Sequence, residues 1–144
     1  IAFGRWVAAD IAGQETPTPS PAIPPLPPHS AAPASPVEIA ELRRLMIDRV
    51  GVVRDAAGLQ QAVAQLARRA FESPPALADR ALVGLLIAVS AWKRTESRGG
   101  HFRSDRPAAD PALARSSSIT LAEARMLADE IVRQPMSRPI HAGA

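Results

Sequence analysis

At 144 residues the chain has room for one modest domain, and its fifteen prolines, clustered rather than spread, make the folded part smaller still. There is no cysteine, which excludes disulfides and thiolate metal sites and makes a reducing compartment the default. The formal charge is +3 and the basic residues are almost all arginine, interspersed with Asp and Glu as on solvated helix faces, so a nucleic-acid surface with stacking aromatics is not indicated.

Aromatics make up only 3% of the chain while Ala, Leu and Arg abound, which favours helices over a sheet. No apolar run approaches the roughly 20 residues that a membrane span needs. The opening has no charged leader before an apolar stretch, unlike a signal peptide, and it starts at Ile1 rather than Met, so it reads as the interior of a longer polypeptide.

In chain order, Phe3, Trp6, Val7 and Ile11 recur at helical spacing, with Gly13 as the C-cap. A helix this short is marginal alone and needs a surface to pack on. Residues 15–35 are a linker, with nine prolines between Pro17 and Pro36. Proline cannot donate to a ladder and biases its predecessor away from α, so this stretch is extended or polyproline II chain. Pro24-Pro25-Leu26-Pro27 would also fit a proline-recognition groove, but a semi-rigid spacer is the simpler reading.

Ser35-Pro36-Val37-Glu38 is a capping box and starts a helix whose apolar stripe is Ile39, Leu42, Leu45, Met46, Val50 and Val53, weakened near its end by Gly51. Asp55 can cap the next helix, where Leu59, Val63, Leu66 and Ala70 share one face. Ser73-Pro74-Pro75 ends it and opens a third helix, expected from about Ala76 to Arg98. Leu82, Val83, Leu85, Leu86, Ile87, Val89 and Trp92 surround most of that helix, which makes it the central one, flanked by the other two in an antiparallel bundle. Gly99 and Gly100 are expected to terminate it, with Lys93, Arg94 and Arg98 near the negative end of its dipole. A second capping box, Thr120-Leu121-Ala122-Glu123, starts a fourth helix with Leu121, Ala124, Leu127 or Ala128, and Ile131 inward, running to about Arg133 before Pro135. The fold class is therefore all-α: a small three-helix bundle over 36–107, preceded by a proline-rich linker and followed by a tail, 108–144, that carries the additional C-terminal helix.

The densest polar stretch is Glu96-Ser97-Arg98-Gly99-Gly100-His101-Phe102-Arg103-Ser104-Asp105. Ser97, His101 and Asp105 are the residue types of a hydrolytic triad, but triads assemble from distant positions, no Gly-x-Ser-x-Gly elbow is present, and Ser97 is expected in or near helical conformation. His101 with Glu96 and Asp105 would be a thin metal shell, since His29 and His141 fall in linker and tail. Gly99-Gly100 beside Arg98 and Arg103 ends a helix rather than beginning one, which is the wrong dipole end for a phosphate. No catalytic, cofactor-binding or metal residue is assigned. The arginines alternate with carboxylates in a way that suits bidentate contacts at an interface, so Glu96, Ser97, Arg98, Gly99, Gly100, His101, Arg103 and Asp105 read as a domain-docking loop.

Several motifs carry a resemblance. Leu42-Arg43-Arg44-Leu45-Met46, then Asp48-Arg49-Val50-Gly51-Val52-Val53-Arg54, Gly58-Leu59 and the 96–105 stretch, in this order and spacing, resemble the C-terminal helical domain of the succinate dehydrogenase/fumarate reductase flavoprotein family. Within that family they agree best with the L-aspartate oxidases. The resemblance covers about Glu38 to Pro107, and residues 1–14 resemble the last helix of the family's FAD-binding domain. Ile47 stands where Trp is expected and Arg106 where an aromatic is usual. The resemblance implies FAD in the intact enzyme and hydride transfer from the α-carbon of L-aspartate to flavin N5, giving iminoaspartate for quinolinate and NAD synthesis in the bacterial cytoplasm. It places the substrate-binding and acid/base residues upstream, none of them in this chain, which would brace the FAD-binding domain and neither bind FAD nor act alone. Two alternatives stand beside it: the C-terminal domain of a succinate dehydrogenase or fumarate reductase flavoprotein subunit, and a stand-alone helical interaction module.

Overall fold

The computed structural model describes residues 2–13 and 33–135, in two units divided after Ser30. Nearly all of the expected proline-rich linker, and residues 136–144, lie outside the described residues. The first unit contributes helix α1, Ala2–Gly13. Among the described residues its Trp6 and Ile11, on the apolar side expected for this helix, are 72% and 64% exposed.

The second unit is a helical bundle. Helix α2 spans Pro36–Val50 and begins at the expected capping box, with Glu38 accepting from Ser35 N at 3.1 Å and Ser35 Oγ from Val37 N at 3.3 Å. It stops at Gly51 for a steric reason. A Cβ there would lie 2.4 Å from the Ile47 carbonyl oxygen, so only glycine lets the chain leave the helix at this angle. Val53, expected on the α2 stripe, instead belongs to a short strand, β1, Val53–Arg54. Helix α3, Ala56–Glu72, is capped by Asp55 Oδ1 accepting from Gly58 N at 2.6 Å. Helix α4 spans Pro75–Lys93, a second short strand β2 covers Phe102–Arg103, a 3-10 turn covers Pro111–Leu113, and helix α5 spans Leu121–Arg133.

Helices α3 and α4 make the most extensive contact, with α2 and α5 each packed against both. Leu59, Val63, Leu66, Leu85 and Val89 are fully buried at their centre. Burial of each such aliphatic side chain contributes about 1.5–3 kcal/mol. The helix starting after the second capping box is not a tail. Ala124, Ala128 and Ile131 are buried, Gln60 of α3 donates to the Ile131 and Gln134 carbonyls at 3.0 and 2.9 Å, and Arg125 lies 4.2 Å over the Phe71 ring. The packed unit therefore runs past Pro107 to the end of α5, because α5 covers one apolar side of α3 and α4.

Helix α4, 19 residues with mean hydropathy 1.4, is the one described helix long and apolar enough to cross a membrane by length and composition. Here it is the central helix of the bundle, as its apolar circumference implies. It ends at Lys93, five residues before the expected end, so Ser97 is not helical and Gly99-Gly100 do not stop the helix. What stops it lies in the loop that follows.

Candidate functional site

That loop is tied down at three places. Strands β1 and β2 pair in parallel with Val53 opposite Phe102 and Arg54 opposite Arg103, and Ser104 N donates to the Arg54 carbonyl at 2.8 Å. Arg98 and His101 exchange backbone hydrogen bonds of 2.8 and 3.0 Å around Gly99-Gly100. Gly99 sits at φ +56°, which a two-residue hairpin turn requires at its first central position and which glycine adopts without strain. Ser97 N donates to the Ala108 carbonyl at 3.1 Å and closes the loop's far side.

The charges inside the loop satisfy one another. Glu96 is fully buried yet accepts four partners: Arg94 Nη1 at 2.5 Å, Arg98 Nε and Nη2 at 3.1 and 3.0 Å, and Asp110 N at 2.8 Å. The Arg98 hydrogen bond, helped by Asp110 N and Arg94, outweighs the burial that opposes it and holds the carboxyl down at about 2. Arg94 reaches onward to the Leu113 and Arg115 carbonyls at 3.1 and 2.8 Å, so one guanidinium links Glu96 to the 3-10 turn.

Arg103 is 3% exposed and does a second job. Its fork grips Asp105 at 2.8 and 2.6 Å, which lowers the Asp105 pKa, while Nη1 shares its hydrogens between the Ala91 and Trp92 carbonyls at 3.3 Å each. Those are carbonyls in the last turn of α4, which has no further turn to pair with. A cation at a helix C-terminus also meets the negative end of the dipole. The helix thus ends at Lys93 because Arg103 returns from the loop to cap it.

His101 and Ser97 are similarly occupied. His101 Nδ1 faces Arg54 Nη1 at 3.1 Å and Nε2 faces the Arg94 carbonyl at 3.3 Å, which fits a neutral ring protonated at Nε2. Burial, followed by the charges of Arg54, Arg103 and Arg94, pushes its pKa down against the Arg94 carbonyl. Ser97 Oγ accepts from Arg103 N and donates to the Arg106 carbonyl, both at 2.8 Å. The structure therefore brings Ser97, His101 and Asp105 into one loop but joins each to the backbone or to an arginine, not into a proton relay. Among the described residues no three His, Asp or Glu side chains gather to hold a metal.

Helices α2, α3 and α5 each spend one first-turn amide on their own Ser35, Asp55 or Thr120, and α4 opens on Pro74-Pro75 without a side-chain cap.

Residues 69–136 match the family described as fumarate reductase flavoprotein C-term. The chain is 42% identical over 104 residues to an L-aspartate oxidase of Agrobacterium fabrum, covering 72% of this chain and 20% of that protein. It is 39% identical over 115 residues to one from Rhodospirillum rubrum, covering 78% and 42%, and 39% identical over 124 residues to one from Mesorhizobium japonicum, covering 86% and 23%. Residues 69–136 belong to the flavoprotein C-terminal family. The chain spans between a fifth and about two fifths of the length of these relatives. No solved structure matches it.

The matched segment includes α4, the loop and α5, so the helix read as a tail from the sequence is part of the family's domain. Sequence reasoning found the loop but missed two of its partners. Arg54 was legible only as part of the Val-Val-Arg stretch, and its role as the clasp on His101 depends on the β1–β2 pairing, 47 residues apart. Arg94 was read as a dipole partner at the helix end, whereas it is a ligand of Glu96.

Proposed function

We propose that this chain is the C-terminal part of an L-aspartate oxidase, which performs the FAD-dependent oxidation of L-aspartate to iminoaspartate for NAD biosynthesis in the cytoplasm. The observation that carries this reading is the similarity to L-aspartate oxidases over 72% to 86% of the chain. In this reading the chain supplies no reacting group. It braces the FAD-binding domain, with residues 1–14 as that domain's last helix and residues 15–35 as a spacer.

The loop from Glu96 to Asp105 is the part of the domain that meets the flavin-bearing domain. Its backbone is fixed by Glu96 and Arg103 from within, so Gly99, Gly100 and Phe102, all exposed, form a rigid rim rather than a mobile tip. Rigidity before contact lowers the ordering cost of docking. The experiment is to express the full-length polypeptide and measure bound flavin together with oxidation of L-aspartate and of succinate. Flavin with aspartate oxidation is the expected result. Succinate oxidation without aspartate oxidation would place the chain in a respiratory flavoprotein instead.

A further inference from the structure

Helix α4 is apolar almost all round, yet α2, α3 and α5 leave part of it bare. Val83 is 58% exposed and Ile87 48%, and Ile47 of α2, beside them, is 73% exposed. Together with Met46 these residues floor a groove of about 420 Å³ whose polar members are only Arg43 and Arg80. Ile87 also walls a second hollow, of about 540 Å³, whose other side is Arg54, Gly100 and His101. One apolar surface thus runs from the α2–α4 groove to the loop.

The rim of this surface is cationic. Arg43, Arg80 and Arg54 make no ion pair among the described residues, unlike Arg94, Arg98 and Arg103 in the loop. Arg54 spends its donors on the Val50 carbonyl and on His101, and Arg80 on the Ala76 carbonyl. An aliphatic floor with unpaired arginines around it fits a surface of aliphatic side chains flanked by carboxylates.

We propose that the α2–α4 groove, continued into the Arg54–His101 hollow, is the seat of the catalytic part of the same polypeptide, which presents aliphatic residues edged by Asp or Glu. This rests on the L-aspartate oxidase reading. Two observations choose this occupant. The chain covers only 20% of one relative and 23% of another, so most of such a polypeptide lies outside it and is tethered at high effective concentration. A second copy joined by a two-fold axis would set the same arginine rim against itself.

The test uses the full-length protein with Ile47→Cys or Val83→Cys. Maleimide labelling of the one peptide is followed by mass spectrometry, in native protein and in urea. Both sites are surface positions in the bundle, and circular dichroism checks that each variant folds. Native labelling at least tenfold slower than in urea is the expected result at both positions. A smaller ratio overturns the proposal, as does protection that vanishes when the protein is diluted to a monomer, which would mark a second copy. Adding Arg43→Glu with Arg80→Glu to the Val83→Cys protein should speed native labelling at least threefold. An unchanged rate would remove the carboxylates from the partner's surface. Aspartate oxidation is measured on the same wild-type sample, and its absence would defeat the enzymatic reading while the labelling result still decides whether the groove is covered.

Discussion

Arg103→Ala is the substitution from which the loop has most to lose. It breaks a bidentate pair whose two side chains are 4% and 12% exposed, leaving Asp105 charged without its partner. Removing one member of such a buried pair costs about 3–5 kcal/mol. It also strips the Ala91 and Trp92 carbonyls of their shared donor, although water can reach the frayed end and recover part of that loss. Against a total stability of about 5–15 kcal/mol for a domain, the variant should be marginal. Urea denaturation of the 144-residue chain, followed by circular dichroism, reads the loss directly. Arg44→Ala is the control, because the Arg44–Asp48 pair is 3.7 Å long and its arginine 85% exposed, so it should change stability by less than about 0.5 kcal/mol. A loss under about 1 kcal/mol for Arg103→Ala would refute the claim that this guanidinium ends and holds α4.

Three further outcomes are expected. Glu96 has its pKa depressed to about 2, so its contribution is complete above the ordinary carboxyl range near 4.5 and is lost as pH falls from there through about 2; Glu96→Gln should flatten that part of a stability–pH profile. His101 is held below its ordinary value of 6.5, so the unfolded chain takes up the proton first and stability should fall as pH drops below about 6.5, a step that His101→Gln should remove on denaturation at a series of pH values. Gly51→Ala should destabilise in a thermal melt although alanine is the better helix former, because its Cβ meets the Ile47 carbonyl; a higher melting temperature would contradict the geometry at the end of α2.

The helices were legible because their signals are local. Ser35 with Glu38, Asp55, and Thr120 with Glu123 all cap the helices the sequence assigned to them, and the apolar spacing of α3 marks the face that is buried. The loop was legible as a dense polar stretch but not as a structure. The end of α4 is decided by Arg103, ten residues beyond Lys93, and the fixing of Glu96 depends on Asp110 N, fourteen residues away. No helical period encodes such returns. The same limit explains α5: its capping box announced a helix, but only the bare side of α3 and α4 shows that the helix belongs to the core. The candidate triad dissolved for the related reason that residue types name a chemistry while partners decide it. Ser97, His101 and Asp105 are each spent on a backbone group or an arginine.

The loop's role is tested most directly by turnover per bound flavin in the full-length enzyme carrying Arg98→Ala or His101→Ala. If the loop is a brace, stability or flavin retention falls while turnover per bound flavin stays within about twofold of wild type, a change of under roughly 0.5 kcal/mol in barrier. A fall of a hundredfold or more with flavin fully bound would instead put the loop in the active site.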